Sequence, residues 1–296
     1  MIDLQAWVES EDQIDRKTFR RAVQLILRGI AQSPILSSIM IMKGGVLLAI
    51  RYQSSRFTRD IDFSTSQRIQ DVDIPALLNT IKEALVPISA DNEYALALRL
   101  QSHEIRPPNR PDVSFPTLQM RIGYVSRLEP RSMKRLEATG SAQVVQVDYS
   151  FNEWASETEK ESIDGGSLSM YTFHDLIAEK LRSVLQQPIR ERGRYQDIYD
   201  LFLLLQIGHP PEEADREAVF RKLLEACRER QVPLHRAAMR DPKVIGLSNQ
   251  QYSTALPSLI SGELPSFDTA YSAVQNFFES LPWDTMTIGN DRARLS

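Results

Sequence analysis

Cysteine and long apolar runs are almost absent from the 296-residue sequence. The only cysteine, Cys227, cannot form an internal disulfide, so the composition favours a reducing compartment. Residues 1–15 contain no charged-then-apolar leader, and no apolar run has the length of a membrane span. We therefore expect a cytoplasmic protein without a membrane partner, with Cys227 packed inside a helical segment.

The sequence also lacks the motifs of several common enzyme classes. The histidines show no ligand spacing, which argues against zinc; they are His103, His174, His209 and His235. There is no G-x-x-x-x-G-K-[ST] phosphate loop and no G-x-S-x-G elbow, which argues against the commoner ATPases and hydrolases. The net charge of −4 gives no global basic field, so any nucleic-acid contact would need a local patch.

Length and patterning predict an α+β protein with two structural units. Apolar periodicity predicts helices over 15–33, 75–86 and 171–187, and strands over 39–42, 94–100, 118–125 and 143–150. Three prolines within 103–112 predict an exposed loop. The polar segment 156–166, which ends in two glycines, indicates a boundary, so we expect domains at 1–160 and 161–296, the second mainly helical.

The chain is organised around residues 43–64, KGGVLLAIRYQSSRFTRDIDFS. Ile61 and Phe63 alternate with Asp60 and Asp62, which predicts a strand with both carboxylates on one face, about 6–7 Å apart. Like charges held on one face repel, so a shared cation is favoured, and oxygen ligands prefer Mg²⁺ or Mn²⁺ to zinc. A solvated strand edge is the other interpretation of this pair.

Three further residues fit a site that binds phosphate groups. Gly44 and Gly45 follow the short strand 39–42, where glycine lets backbone N–H groups approach a phosphate, although a plain strand-to-helix turn also uses glycine. Asp148 lies near the end of the valine-rich strand 143–150, where it either takes part in catalysis or caps a turn.

Charged residues form two other groups. Glu179 and Lys180 are adjacent on a helix and point about 100° apart, so they are not an ordinary i,i+4 surface pair. Asp197 and Asp200 share one face near the start of the next helix, where the helix dipole favours negative charge. Solvated helix charges are the alternative for each pair. The basic run 106–135 is either a solvated face or a nucleic-acid contact; its cations are Arg106, Arg110, Arg121, Arg127, Arg131, Lys134 and Arg135.

Four separated motifs over residues 41–203 resemble those of the AbiEii/AbiGii-type nucleotidyltransferase toxins (MenT-like), within the DNA polymerase beta-like nucleotidyltransferase superfamily. They are KGG-x-x-L, R-x-T-x-D-I-D-F, A-E-K-L and R-x-x-D-x-Y-D-L. The resemblance implies a polymerase beta-like nucleotidyltransferase domain with a mixed sheet, followed by a helical C-terminal domain that contributes Lys180 and Asp197 to the cleft.

The resemblance also implies site roles. Asp60 and Asp62 would bind Mg²⁺, Asp148 would orient the attacking hydroxyl or take its proton, Lys180 would hold the triphosphate, and Asp197 would serve catalysis or nucleotide placement. The remaining nucleotide-binding candidates are Lys43, Gly44, Gly45, Arg56, Thr58 and Arg194. Gln196 departs from the family, which mostly has a basic residue before the aspartate.

The function implied is that of a toxin in a toxin–antitoxin or phage-defence system, which transfers nucleotides from an NTP to an RNA acceptor such as the tRNA 3′ end and releases pyrophosphate. A cognate antitoxin would be its protein partner. Two alternatives are nucleotidyl transfer to a small molecule or a protein hydroxyl, and a non-catalytic binding module. Phosphorylation of Thr58 would add about −1.5 to −2 charges beside Asp60, although Thr58 also suits strand entry as a β-branched residue.

Overall fold

A computed structural model describes residues 2–108, 113–153, 157–207 and 211–285. The chain divides into two compact units. The first consists of Met1–Gln53 and Thr58–Tyr171, and the second of Ser54–Phe57 and Thr172–Ser296. No helix within the described ranges is both long enough and apolar enough to span a membrane.

The first unit contains a seven-stranded mixed sheet with the order β3-β4-β5-β2-β1-β7-β6. Its strands are β1 (Ile41–Lys43), β2 (Asp60–Ser64), β3 (Leu96–Arg106), β4 (Thr117–Ser126), β5 (Val144–Ser150), β6 (Thr158–Ile163) and β7 (Gly166–Tyr171). β2 runs parallel to β5 and β1 runs parallel to β7, whereas the other neighbours are antiparallel. The expected α+β class with a mixed sheet is confirmed.

Helices of the first unit pack on this sheet. Those of the first unit are α1 (Leu4–Glu9), α2 (Ile14–Gln32), α3 (Pro34–Ile39), α4 (Gly44–Tyr52), α5 (Ile74–Ala90) and α6 (Pro130–Ala138). Ile26 of α2 and Ile81 of α5 line one small apolar space together with Met120 and Val147 of the sheet. This face of the sheet is therefore the core, because the apolar sides of α2 and α5 pack there.

The second unit is helical, as expected. Its helices are α7 (Phe173–Leu185), α8 (Gln187–Arg190), α9 (Tyr195–Gln206), α10 (Glu213–Glu229), α11 (Pro242–Asn249), α12 (Tyr252–Ala255) and α13 (Phe267–Glu279). The short segment Ser54–Phe57 joins this unit through a bridge between Arg56 and Ile260. Cys227 lies buried in α10, as predicted, and burial raises the pKa of its thiol to about 12.

Two parts of the chain differ from the sequence pattern. The segment chosen as a domain boundary contains β6, a polar strand at the sheet edge with alternating exposure, and the division into compact units falls between Tyr171 and Thr172. Polar and charged residues suit an edge strand because they discourage pairing with another chain. In addition, β3 extends to Arg106, into the expected proline loop, of which residues 109–112 lie outside the described part.

Candidate active site

Three carboxylates meet on the face of the sheet opposite α2 and α5. Asp60 and Asp62 lie on β2, and Asp148 lies directly beside Asp62 on the parallel strand β5. One oxygen from each carboxylate lies within 4.8 Å of the others, and all three side chains are half-buried. Negative charges at this separation repel, so the arrangement favours a bound cation. The oxygen-only donor set suits Mg²⁺ or Mn²⁺.

The strand pattern places these side chains together. The residues between and beside the acids, Ile61, Phe63, Val147 and Tyr149, are buried. Because successive side chains on a strand point to opposite faces, burial of these four leaves the three carboxylates on the accessible face. Asp62 and Asp148 therefore lie side by side on neighbouring strands.

Amide side chains hold Asp148 in place. Gln119 of β4 donates a hydrogen bond to Asp148 Oδ1 at 3.1 Å, and Gln146 donates to both of its carboxylate oxygens at 3.1 Å. Burial raises the pKa of Asp148 above its ordinary value, and the charge of Asp60 adds to this rise, although the two amides and Lys43 oppose it. Neither glutamine was predicted. Gln119 lies on another strand, whose register a single sequence does not show. Gln146 lies two residues from Asp148 on β5, so the alternation of that strand could have indicated it.

Thr58 and Gly44 shape the surroundings of the two acids on β2. Thr58 Oγ1 donates a hydrogen bond to Asp60 Oδ1 at 2.7 Å. Gly44, the first residue of α4, has φ of +74°, and a Cβ built there would lie 2.0 Å from Asp62 Oδ2. Glycine is required at 44 both by its left-handed backbone and by the approach of Asp62.

Lys43 and Gly45 flank Gly44. The Lys43 ammonium pairs with Glu153 and lies 5.7 Å from the Tyr171 ring, and Lys43 is itself buried. Glu153 was not anticipated as its partner. Gly45 is buried in the first turn of α4, and the Lys43 side chain does not cap that helix. The first turn of α4 therefore lies beside Asp62, and the Lys43 side chain accepts no hydrogen bond from its backbone N–H groups.

A buried cluster of charges lies within the second unit. Lys180 of α7 donates to Asp197 Oδ1 at 3.0 Å and to Asp200 Oδ2 at 2.7 Å. Arg56 also donates two hydrogen bonds of 2.7 Å to the Asp200 carboxylate. Asp197 and Asp200 thus share a face of α9 as predicted, but they are buried and not solvated.

The charges in this cluster shift the pKa values of Lys180 and Asp200 towards their ionised forms. Burial alone would lower the pKa of Lys180, but Asp197 and Asp200 raise it above the usual lysine value. Burial alone would raise the pKa of Asp200, but Arg56 and Lys180 hold it below the usual range. The charged forms of Lys180 and Asp200 are therefore both favoured inside the cluster.

Arg194 and Asp197 both line an open pocket of about 350 Å³ in the second unit. Residues 191–197, Gln250 and Gln251 form its wall. Arg194 is the N-cap residue of α9, and its Nε lies 3.7 Å from Asp197 Oδ2. A ligand in this pocket could contact both side chains.

Comparison with known proteins agrees with this fold. The Helicobacter pylori protein JHP933 has a TM-score of 0.53 with 16% identity, over 96% of this chain and 98% of that one. A second H. pylori structure, assigned provisionally to the nucleotidyltransferases, has a TM-score of 0.51 with 14% identity, over 93% and 98% of the two chains. No protein with curated annotation matches the sequence.

The mixed sheet carries three carboxylates on one face, and the two H. pylori structures are similar to this chain in fold. A family model described as "Nucleotidyl transferase AbiEii toxin, Type IV TA system" matches residues 25–273. The chain therefore belongs to the AbiEii family of nucleotidyltransferase toxins. The resemblance inferred from the four motifs is confirmed.

Proposed function

We propose that this protein uses Mg²⁺ to transfer a nucleotide from an NTP to an RNA acceptor such as the 3′ end of a tRNA. The observation that carries the proposal is the group of three carboxylates on β2 and β5, with the start of α4 against one of them. The family supports a toxin whose activity is restrained by an antitoxin partner, and the single cysteine is in keeping with a cytoplasmic protein.

The donor set fits a divalent cation held mainly by Asp60 and Asp62. Three half-buried carboxylates with oxygens within 4.8 Å repel one another, and each of them offers an oxygen ligand. When bound, Mg²⁺ would supply positive charge that stabilises the attacking and leaving oxygens of an in-line displacement.

Asp148 is the proposed acceptor of the proton. In the reaction, the hydroxyl oxygen of the acceptor forms a bond to the α-phosphorus, the bond from that phosphorus to pyrophosphate breaks, and the hydroxyl proton passes to the Asp148 carboxylate. Gln119 and Gln146 fix the orientation of that carboxylate for the transfer. Its raised pKa suits a group that must accept a proton near neutral pH.

The other residues would position the nucleotide. The uncapped first turn of α4, which starts at Gly44 and Gly45, offers backbone N–H groups to the phosphates beside Asp62. Thr58 holds Asp60 in position. Lys180 would neutralise charge on the triphosphate. Asp197 and Arg56 would fix the position of Lys180, and Arg194 would contact the nucleotide. Lys43 would contribute to nucleotide binding through its ion pair with Glu153.

Labelled nucleotide tests the proposal. The protein is incubated with total RNA, Mg²⁺ and each α-³²P-labelled NTP in turn, and the label is followed into RNA, protein and small molecules. We expect label in RNA for the wild type, loss of that label on chelation by EDTA, and its loss in Asp60→Asn and Asp62→Asn. Asp91→Asn, which changes an exposed aspartate after α5, is the matched control.

The outcomes separate the alternatives. Label in protein or in a small molecule would show that the acceptor is not RNA, while the proposal of nucleotidyl transfer would stand. Full activity in both Asp60→Asn and Asp62→Asn would overturn the metal site. Absence of label from every fraction, together with absence of Mg²⁺-dependent NTP binding by calorimetry, would favour a non-catalytic binding module.

A further inference from the structure

The face of the sheet that carries the three carboxylates continues across β4. Gln119 and Asp148 are paired across β4 and β5 and joined by a hydrogen bond, so their side chains share that face. Arg121 lies two residues further along β4 and therefore points to the same face. It is exposed, and it makes no ion pair with any other described residue.

The register places Arg121 in line with the metal site. Arg121 is the partner of Gln146 on β5, and Gln146 is the partner of Asp60 on β2. Two strand spacings separate Arg121 from Asp60, which is about 10 Å between backbones. An arginine at this distance can contact a phosphate close to a chain end that reacts at the carboxylates.

Helix α6 packs on the same face, further along β4. Leu136 of α6 packs against Val125 of β4 and Ala97 of β3, with Met133 partly buried beside them. Val125 follows Arg121 by an even number of residues along an uninterrupted strand, so both point to one face of the sheet. The helix and the carboxylates therefore share that face.

The outer side of α6 is basic. Arg131, Lys134 and Arg135 are exposed, and their spacing of three and four residues places them along one stripe opposite the buried Leu136. Within the described ranges none of the three forms an ion pair. The only acid within α6 is Glu137, so the stripe keeps a net positive charge.

We propose that Arg121, Arg131, Lys134 and Arg135 form one surface, the basic flank, which binds the phosphate backbone of an RNA acceptor whose 3′ end reacts at Asp60, Asp62 and Asp148. This inference rests on the proposed function and deepens it by naming the surface that binds the RNA acceptor. Cations without protein partners lose little by pairing with phosphates, and such contacts provide most of the affinity for a nucleic acid without sequence readout.

Charge neutralisation tests the flank. Arg121→Gln, Arg131→Gln, Lys134→Gln and Arg135→Gln are made singly and together, and the dissociation constant for a 5′-fluorescent tRNA is measured by anisotropy at several salt concentrations. Each single variant should bind several-fold more weakly and lower the slope of log affinity against log salt by about 0.7–0.9. The combined variant should lower the slope by about 3.

Lys82→Gln is the matched control. Lys82 is an exposed lysine on α5, the helix that packs on the opposite face of the sheet, so its loss should change neither affinity nor slope. Calorimetric binding of Mg²⁺ and NTP should be the same in all the variants, which shows that the metal site remains folded.

Three results would overturn the inference: wild-type RNA affinity in the combined variant, an equal loss in Lys82→Gln, or no RNA binding by the wild type. The last result, combined with label transfer to a protein or small molecule, would leave nucleotidyl transfer intact. Conversely, if RNA bound through the basic flank but no nucleotide was transferred, the inferred binding surface would be supported and the proposed reaction would be contradicted.

Discussion

Lys180 Nζ lies 2.7 Å from Asp200 Oδ2, and the Asp200 side chain has no exposed surface. The same carboxylate accepts two hydrogen bonds from Arg56. A buried carboxylate that neutralises two cations is part of the folded framework of the second unit. Asp197 differs, since it contacts Lys180 from the wall of an open pocket.

This difference predicts separate effects of two matched substitutions. Asp200→Asn should lower the free energy of unfolding by about 3–5 kcal/mol, because it leaves two buried cations without a full counter-charge. Asp197→Asn should cost less stability, because Lys180 keeps Asp200, yet it should abolish label transfer. Urea denaturation and the labelling assay measure the two effects, and equal losses of stability would contradict this division of roles.

A second prediction concerns pH and Asp148. The folded-state pKa of this group lies above its unfolded value, so its ionised form destabilises the fold at neutral pH. This cost is fully present above the folded pKa and disappears as pH falls below the unfolded value, which is about 3.9. Asp148→Asn keeps an acceptor oxygen for the two glutamine amides, and it should be more stable than the wild type at pH 7 in EDTA.

Thermal unfolding at a series of pH values checks this. The advantage of Asp148→Asn should shrink as the solution is acidified through the raised pKa of Asp148, and added Mg²⁺ should stabilise the wild type more than the variant. A variant less stable than the wild type at pH 7 without metal would show that the carboxylate is not under strain.

A third prediction uses Gly44. Gly44→Ala must relieve a Cβ contact with Asp62 Oδ2 and adopt a left-handed φ, so it should displace that carboxylate and weaken Mg²⁺-dependent NTP binding. The strain should cost about 1–3 kcal/mol of stability. Gly246→Ala is the control, since Gly246 lies in α11 with open space around it and should gain about 0.5–1 kcal/mol. Unchanged NTP binding in Gly44→Ala would contradict the role given to this glycine.

A fourth prediction concerns the Thr58 hydroxyl, which donates to Asp60. Thr58→Val keeps the β-branched shape but loses a hydrogen bond to a charged group, worth about 1.5–3 kcal/mol, so transfer should fall roughly tenfold to a hundredfold. Thr58→Ser keeps the hydroxyl and should stay active. Thr58→Glu should be inactive through repulsion of the triphosphate. Normal nucleotide transfer by Thr58→Glu would contradict the idea that phosphorylation of Thr58 regulates the enzyme.

The sequence predicted the parts of the fold and site that depend on local spacing. Alternation around Asp60 and Asp62 was sufficient to place both on one strand face, because the period of a strand is a local property. The pairing of Asp148 with Asp62 depends on the register between strands far apart in sequence. The contact of Gln119 with Asp148 and that of Glu153 with Lys43 depend on the same long-range geometry, whereas Gln146 is a local neighbour of Asp148 on β5.

Other features were hidden by their composition. β6 has the sequence TEKESI, whose polar character resembles a linker because the strand lies at the sheet edge. The pairing of Arg56 with Asp200 was also hidden, since periodicity showed which face of α9 carries the aspartates but not that other charged groups bury that face.

Ser54–Phe57 belongs to the helical unit although it lies within the sequence of the first unit, and this affects which segments of the chain can be exchanged between relatives. If the residues after Tyr171 were replaced by those of a relative, Arg56 would still come from this chain. The aspartate that corresponds to Asp200 would come from the relative, so the two partners of this ion pair would come from different proteins. We therefore expect chimaeras within the family to fold best when Ser54–Phe57, four of the seven residues between α4 and β2, are exchanged together with the C-terminal half.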